Sequence, residues 1–197
     1  MNKDILEKLY TKDKLSVTEI ANKLNCSSNR INYWLFKHGI QKRTISEAIY
    51  QKNNPTGDPF EFNMPKSIKQ MFLYGLGLGL YWGEGTKRNK HSIRLGNTDP
   101  DLIKSFINFL VSIYNIDRNK LKFQLLIYDD LDSNKLIYFW AKYLSIKRNQ
   151  FSKTTILKRR GEGTYNQKMK YGLLLIIFNN IKLRDLICSQ IANIKNL

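Results

Sequence analysis

The sequence predicts an α+β chain: an N-terminal three-helix helix-turn-helix over residues 1–45, a linker over 46–66, and a second domain over 67–197 with helices packed on one face of an antiparallel sheet. Three observations predict it. Two short amphipathic segments, each opened by a serine, flank Asn25 and Cys26. The stretch QKNNPTGDPFEFNMPK, residues 51–66, then breaks the pattern with three prolines and a glycine, with a short ordered segment expected at Phe60 and Phe62. Beyond it, segments of helical period interleave with segments that alternate every second residue.

Charge narrows the partners. Lys and Arg number 33 against 16 acids, a formal net charge of +17, and such an excess on a folded chain points to a polyanion, above all nucleic acid. The two cysteines, Cys26 and Cys188, form no CxxC, so free thiols in a reducing compartment are the expectation; with a nucleic-acid partner the expected place is the cytoplasm, associated with the nucleoid, with an organelle-encoded origin as the alternative. No apolar run reaches the roughly 18 residues of a membrane span, and no signal-peptide core opens the chain.

The N-terminal grammar is specific. A first helix is expected near residues 3–11. Ser16 followed by Glu19 forms a capping box, and Ile20, Ala21 and Leu24 supply an apolar face. Ser27 caps a further helix in which Ile31, Trp34 and Leu35 share a face, and Gly39 stops it after His38. The pattern resembles the S-x-x-E-I-A-x-x-L helix-turn-helix domains of bacterial and phage regulators and recombinases. That resemblance implies duplex DNA as partner, with the second helix in the major groove. Ser28, Asn29, Arg30, Asn32 and Tyr33 are the candidate base readers, and Lys37, Lys42 and Arg43 the candidate phosphate contacts.

The stretch YGLGLGLYWGEGTKRNK, residues 74–90, has neither GxGxxG spacing nor a GK[ST] phosphate loop. It reads as a helix over 67–84. Gly75, Gly79 and Gly83 recur every four residues and form one stripe. Each interior glycine costs up to ~1 kcal/mol against alanine. A smooth stripe that lets a second helix approach closely offsets that cost. Glu84 ends the helix against the negative pole of its dipole. Two such helices crossing at their stripes bring two carboxylates together, an arrangement suited to a divalent cation.

On these residues GLGLYWGEG, 77–85, resembles the LAGLIDADG motif of homing endonucleases. Gly79, Leu80, Gly83, Glu84 and Gly85 match, while Trp82 stands where the family has its first acid. HSIRLGNTDPDLIKSFINFL is similar to the strand-then-helix segment that follows the motif. The resemblance implies a single-motif member: a homodimer through the 67–84 helix with Gly75, Gly79 and Gly83 at the interface, and Mg²⁺-dependent cleavage of double-stranded DNA with Glu84 as metal ligand. Lys122 and Lys153 are the candidate basic catalytic residues. A non-catalytic transcription regulator on the same fold is the rival reading, favoured by Trp82 and opposed by Glu84.

The remaining pattern supplies the sheet. SIRLGN and LKFQLLIY alternate, FSKTTILKRR reads as a basic strand, and KYGLLLIIFNN as a buried one. Asp99 with Pro100 and the Asp132 segment open helices. Lys87, Arg88, Arg94, Gln124, Lys158 and Arg159 join Lys122 and Lys153 as DNA-facing candidates. Asp130, Asp132 and Asn134 mimic the start of a calcium loop, but Lys135 and Ala141 occupy its glycine and glutamate positions, so a helix cap is the better reading.

Overall fold

Serine, threonine, aspartate and asparagine side chains accept from the first turns of the helices of this chain. The structure, a computed structural model, describes residues 1–158 and 169–194. It is α+β and divides into two units, Met1–Asp58 and Pro59–Leu197.

In the first unit Asn2 caps α1 (Lys3–Glu7), which continues as a π-helical turn over Lys8–Lys12. Ser16 and Glu19 form both halves of a capping box on α2 (Val17–Lys23). Ser16 is also the main reason the Glu19 carboxyl is held below the usual range. Asn25 adopts φ 49° in the turn, and Ser27 caps α3 (Ser28–Lys37). Gly39, at φ 67°, turns the chain away after it, a conformation that suits glycine. Leu6, Ile20, Ile31 and Leu35 are fully buried in one small core. The expected linker is partly helical: Thr44 and Glu47 form a second capping box that opens α4 (Ile45–Asn53). No residue of α4 is buried, which is why no apolar face announced it.

The second unit opens with an extended segment. Phe60 and Phe62 pack on its core, and the Glu61 and Asn63 amides donate to the Tyr114 and Ile113 carbonyls at 2.9 and 2.8 Å. The order is then α5 (Ile68–Glu84), β1 (Ile93–Asn97), α6 (Pro100–Tyr114), β2 (Lys122–Tyr128), α7 (Ser133–Leu144), β3 (Thr155–Leu157), β4 (Leu173–Phe178) and α8 (Ile181–Ile194). Asp99 and Asp132 cap α6 and α7. Among the described residues the strands form one sheet in the order β1-β4-β2-β3.

That sheet is mixed rather than antiparallel. β4 pairs antiparallel with β1 and β2, but β3 runs parallel to β2. α7 lies between β2 and β3 in the chain and returns it to the starting end, as a parallel pair requires. The register slips by one residue on the way. Phe123 pairs with Phe151, whereas Leu126 pairs with Thr155. The extra residue behaves as a bulge: Phe151 packs on the core, and Thr155 stands beside Leu126 on the opposite face.

One face of the sheet carries the fully buried Ile93, Leu95, Phe123, Leu125, Leu174 and Ile176. These share a core with Leu78 and Tyr81 of α5, Phe106 and Phe109 of α6, Trp140 of α7, and Leu183 and Ile187 of α8. No described helix is long and apolar enough to cross a membrane.

The glycines of α5 divide into two kinds. A Cβ on Gly77 would lie 2.0 Å from Cγ of Phe109, so this glycine is what lets α5 close on α6. Cβ atoms on Gly75, Gly79 and Gly83 would meet nothing within 4 Å. Gly77→Ala is therefore expected to lose about 1–3 kcal/mol through overpacking. Gly79→Ala in dilute solution is expected to gain up to ~1 kcal/mol of helix propensity. Thermal denaturation of the two variants checks this contrast, and equal melting would contradict it.

Candidate nucleic-acid interface

Burying Ile31 and Leu35 in the first unit leaves Asn29, Arg30, Tyr33, Phe36 and Lys37 on the outer face of α3. The face is held in order by its own rings. Trp34 stacks on His38 at 5.2 Å between centroids, and the Lys37 ammonium lies 5.0 Å from the Trp34 ring centre. His38 Nε2 donates to the Met1 carbonyl at 3.0 Å. No acid occurs between Glu19 and Glu47, so this surface carries only positive charge.

Two expected DNA contacts prove to face inward. Asn32 falls toward the Ile31 and Leu35 side, and its Oδ1 is buried with no partner among the described residues. The Arg43 guanidinium is a brace. It donates to the Lys14 carbonyl at 2.9 Å, to the Leu15 carbonyl and to Gln51 Oε1 of α4, and it lies 4.3 Å from the Tyr10 ring centre. Its amide donates to the Tyr10 hydroxyl at 2.9 Å. Ser28 is half-buried at the rim of the face, while Lys42 is exposed.

In the second unit the uncovered face of the sheet brings several candidates into rows. Arg94, Ile177 and Lys122 are cross-strand neighbours, and Gly96, Leu175 and Gln124 form the next row. Gln124 Nε2 donates to Thr155 Oγ1 at 3.0 Å, and Arg94 Nε to Ser92 Oγ at 2.9 Å. The strand read as buried is buried on one side only. Leu173, Leu175 and Ile177 form, with Leu126, a half-buried aliphatic strip between the polar ends of the rows. Lys153 and Lys158 are exposed on either side of β3, which is shorter than the basic run suggested. Arg159 lies outside the described residues.

Glu84 is the last residue of α5. Gly85 bridges to Leu95, and the Thr86 amide donates to the Arg94 carbonyl at 2.8 Å, so the helix end is pinned to the outer edge of β1. The Glu84 side chain is exposed. The Lys87 ammonium donates to the Trp82 carbonyl and so neutralises the negative helix end, which makes it a cap on α5. Arg88 is exposed beside it. Arg184 of α8 braces the same corner by donating to the Lys87 carbonyl at 3.0 Å, a contact that no sequence pattern signals. It lies against Tyr81. Burial pushes the Tyr81 phenol up to about 12, with Cys188 adding to the effect.

The two basic catalytic candidates are not gathered around Glu84. Lys122 on β2 is two strand spacings from β1, roughly 10 Å, and Lys153 lies beyond it near the β3 edge. Lys87 and Arg184 are cations whose hydrogen bonds tie them to the end of α5, while Arg94 meets it through its backbone carbonyl. The described residues hold no group of three His, Cys, Asp or Glu able to bind a metal ion. Glu84 ends α5 at this corner, and the one other carboxylate that the described contacts bring toward it, Asp185, is ion-paired with Arg184 at 2.8 Å.

The outer face of α5 is bare. Ile68 is 74% exposed, Phe72 76%, Met71 57% and Leu76 50%, and Gly75, Gly79 and Gly83 lie among them at helical spacing. No family model matches the chain, and no curated protein or solved structure matches it either.

Replacing Arg43 tests its assignment. Arg43→Ala is expected to destabilise the first unit by about 1.5–3 kcal/mol, the worth of hydrogen bonds from a charged donor. Arg43→Lys should not restore it, since one ammonium lacks the planar fork that reaches three acceptors. A normal melting temperature with weakened DNA binding would instead make Arg43 a phosphate contact.

Proposed function

We propose that this chain is a DNA-binding protein that acts as a homodimeric, Mg²⁺-dependent endonuclease on double-stranded DNA. In this reading the first unit is a helix-turn-helix module that docks α3 in the major groove, and the second unit is a single-motif LAGLIDADG-type domain. The observation that carries the reading is the joint state of α5: a bare apolar face threaded by Gly75, Gly79 and Gly83, ending in the exposed carboxylate of Glu84. A second copy laid on that face covers the apolar surface and brings a second Glu84 to the first.

The donor chemistry fits Mg²⁺ only in the pair. One Glu84 is too few ligands, whereas two carboxylates with DNA phosphate oxygens give the hard oxygen set that the ion takes. A bound Mg²⁺ would supply charge stabilisation and a lowered pKa for its water. The chain's own residues bind and orient. Arg94 and Lys122 form a cationic row to neutralise phosphates across the sheet. Lys87 and Arg184 hold the end of α5, and Asn29, Arg30 and Tyr33 present the groove-reading face.

A regulator without cleavage is the second reading. It is favoured by the absence, among the described residues, of any group of three potential metal ligands, and by Trp82, which stands where the resembled family carries another acid.

Plasmid carrying the DNA that flanks the protein's own gene, incubated with Mg²⁺ or with chelator, separates the two. The nuclease reading expects Mg²⁺-dependent nicking or linearisation. Glu84→Gln should lower it about a thousandfold, several kcal/mol of lost charge stabilisation, while DNA binding persists. Binding without cleavage by the wild type would leave the regulator. Cleavage that survives in Glu84→Gln would remove Glu84 from the site.

A further inference from the structure

Phe36 has no structural task in the first unit. It is 86% exposed, more than any other large hydrophobic residue of the described chain, and it lies one residue past the fully buried Leu35. Tyr33, three residues earlier and 55% exposed, shares its face, as does Asn29 one turn further back. A single exposed apolar side chain is ordinary on a surface. Two aromatic rings on a helical face that lacks acids and carries Arg30 and Lys37 are not placed for solubility.

We infer, resting on the reading of α3 as the helix that enters the major groove, that Phe36 with Tyr33 selects thymine in the target. The phenyl ring of Phe36 has no donor or acceptor, so it satisfies neither a phosphate nor the polar edge of guanine, cytosine or adenine. The only apolar group that a base edge offers in the major groove is the C5-methyl of thymine. Arg30 and Lys37 flank the rings and supply the charge that brings the phosphate backbone to this face. Asn29, on the same face, can pair with adenine by two hydrogen bonds, which suits the same A·T-containing sites. Phe36 is thus a specificity-determining residue, and the register of α3 places it toward the C-terminal half of the reading face.

Selection from a randomised duplex library, with the full chain at physiological salt, tests this. The wild type is expected to enrich a motif with thymine at one or more fixed positions. Phe36→Ala should keep the rest of that motif and lose the thymine preference, and Phe36→Leu should retain part of it. In the selected duplex, deoxyuridine in place of those thymines should weaken wild-type binding about fourfold per contacted methyl. The same change should leave Phe36→Ala binding unmoved. The deoxyuridine arm needs only the wild type, so it stands even if the variant folds poorly. An unchanged motif in Phe36→Ala, or equal wild-type affinity for thymine and deoxyuridine duplexes, overturns the inference alone. Absence of any enriched motif for the wild type overturns the reading of α3 and this inference with it. A Phe36→Ala chain with altered self-association but unchanged DNA preference would assign the ring to a protein contact instead.

Discussion

The approach of α5 to α6 at Gly77 governs the second unit. The ring of Phe109 occupies the space where any Cβ at position 77 would lie. The buried residues of α5 are Gly77, Leu78 and Tyr81, a narrow seam for a helix of 17 residues. Leu73, Tyr74 and Leu80 are partly buried beside that seam, and Ile68, Met71, Phe72, Leu76 and Trp82 are exposed. A helix that is apolar nearly all round normally lies inside a larger core. Here one side is in the core and the other is bare, a state that a second surface of the same kind would complete.

The same seam fixes the helix end. Tyr81 lies stacked on Phe106, and a Cβ on Gly85 would collide with the Tyr81 ring. Gly85 can therefore leave the helix at once and pair with β1. Glu84 is delivered, exposed, to a fixed corner that Lys87 and Arg184 brace. The carboxylate faces the unfavourable pole of the α5 dipole, and Lys87 offsets that pole from outside the helix.

Much of this was legible because caps are local. Ser16 with Glu19, Ser27, Ser67, Asp99 with Pro100, and Asp132 each mark a helix start within four residues of sequence. The alternation in β1 and β2 likewise assigned Arg94, Lys122 and Gln124 to the uncovered face. What escaped depends on distant partners. The parallel pairing of β3 and its one-residue slip follow from where α7 returns the chain. Arg43 reads as a surface cation until Tyr10 and the Lys14 and Leu15 carbonyls are seen around it. Thr44 with Glu47 carried the same signature as Ser16 with Glu19, but the prolines that follow drew the segment toward a linker. Gly77 was hidden among glycines of regular spacing, and only the position of Phe109 separates it from them. Phe36 was legible in principle, since one residue beyond Leu35 on a helix is already off the buried face.

In the proposed homodimer the bare face of α5 meets a second copy of itself at the glycine stripe. A cysteine placed there reads the contact directly. In a chain with Cys26 and Cys188 changed to serine, Gly79→Cys should form an intermolecular disulfide under mild oxidation at micromolar concentration, because a bridge requires Cα atoms within about 7 Å. A covalent dimer is expected in near-complete yield, with a control cysteine at the exposed Lys120 giving none. Gly79→Cys that stays monomeric under the same oxidation, with and without DNA, would contradict it.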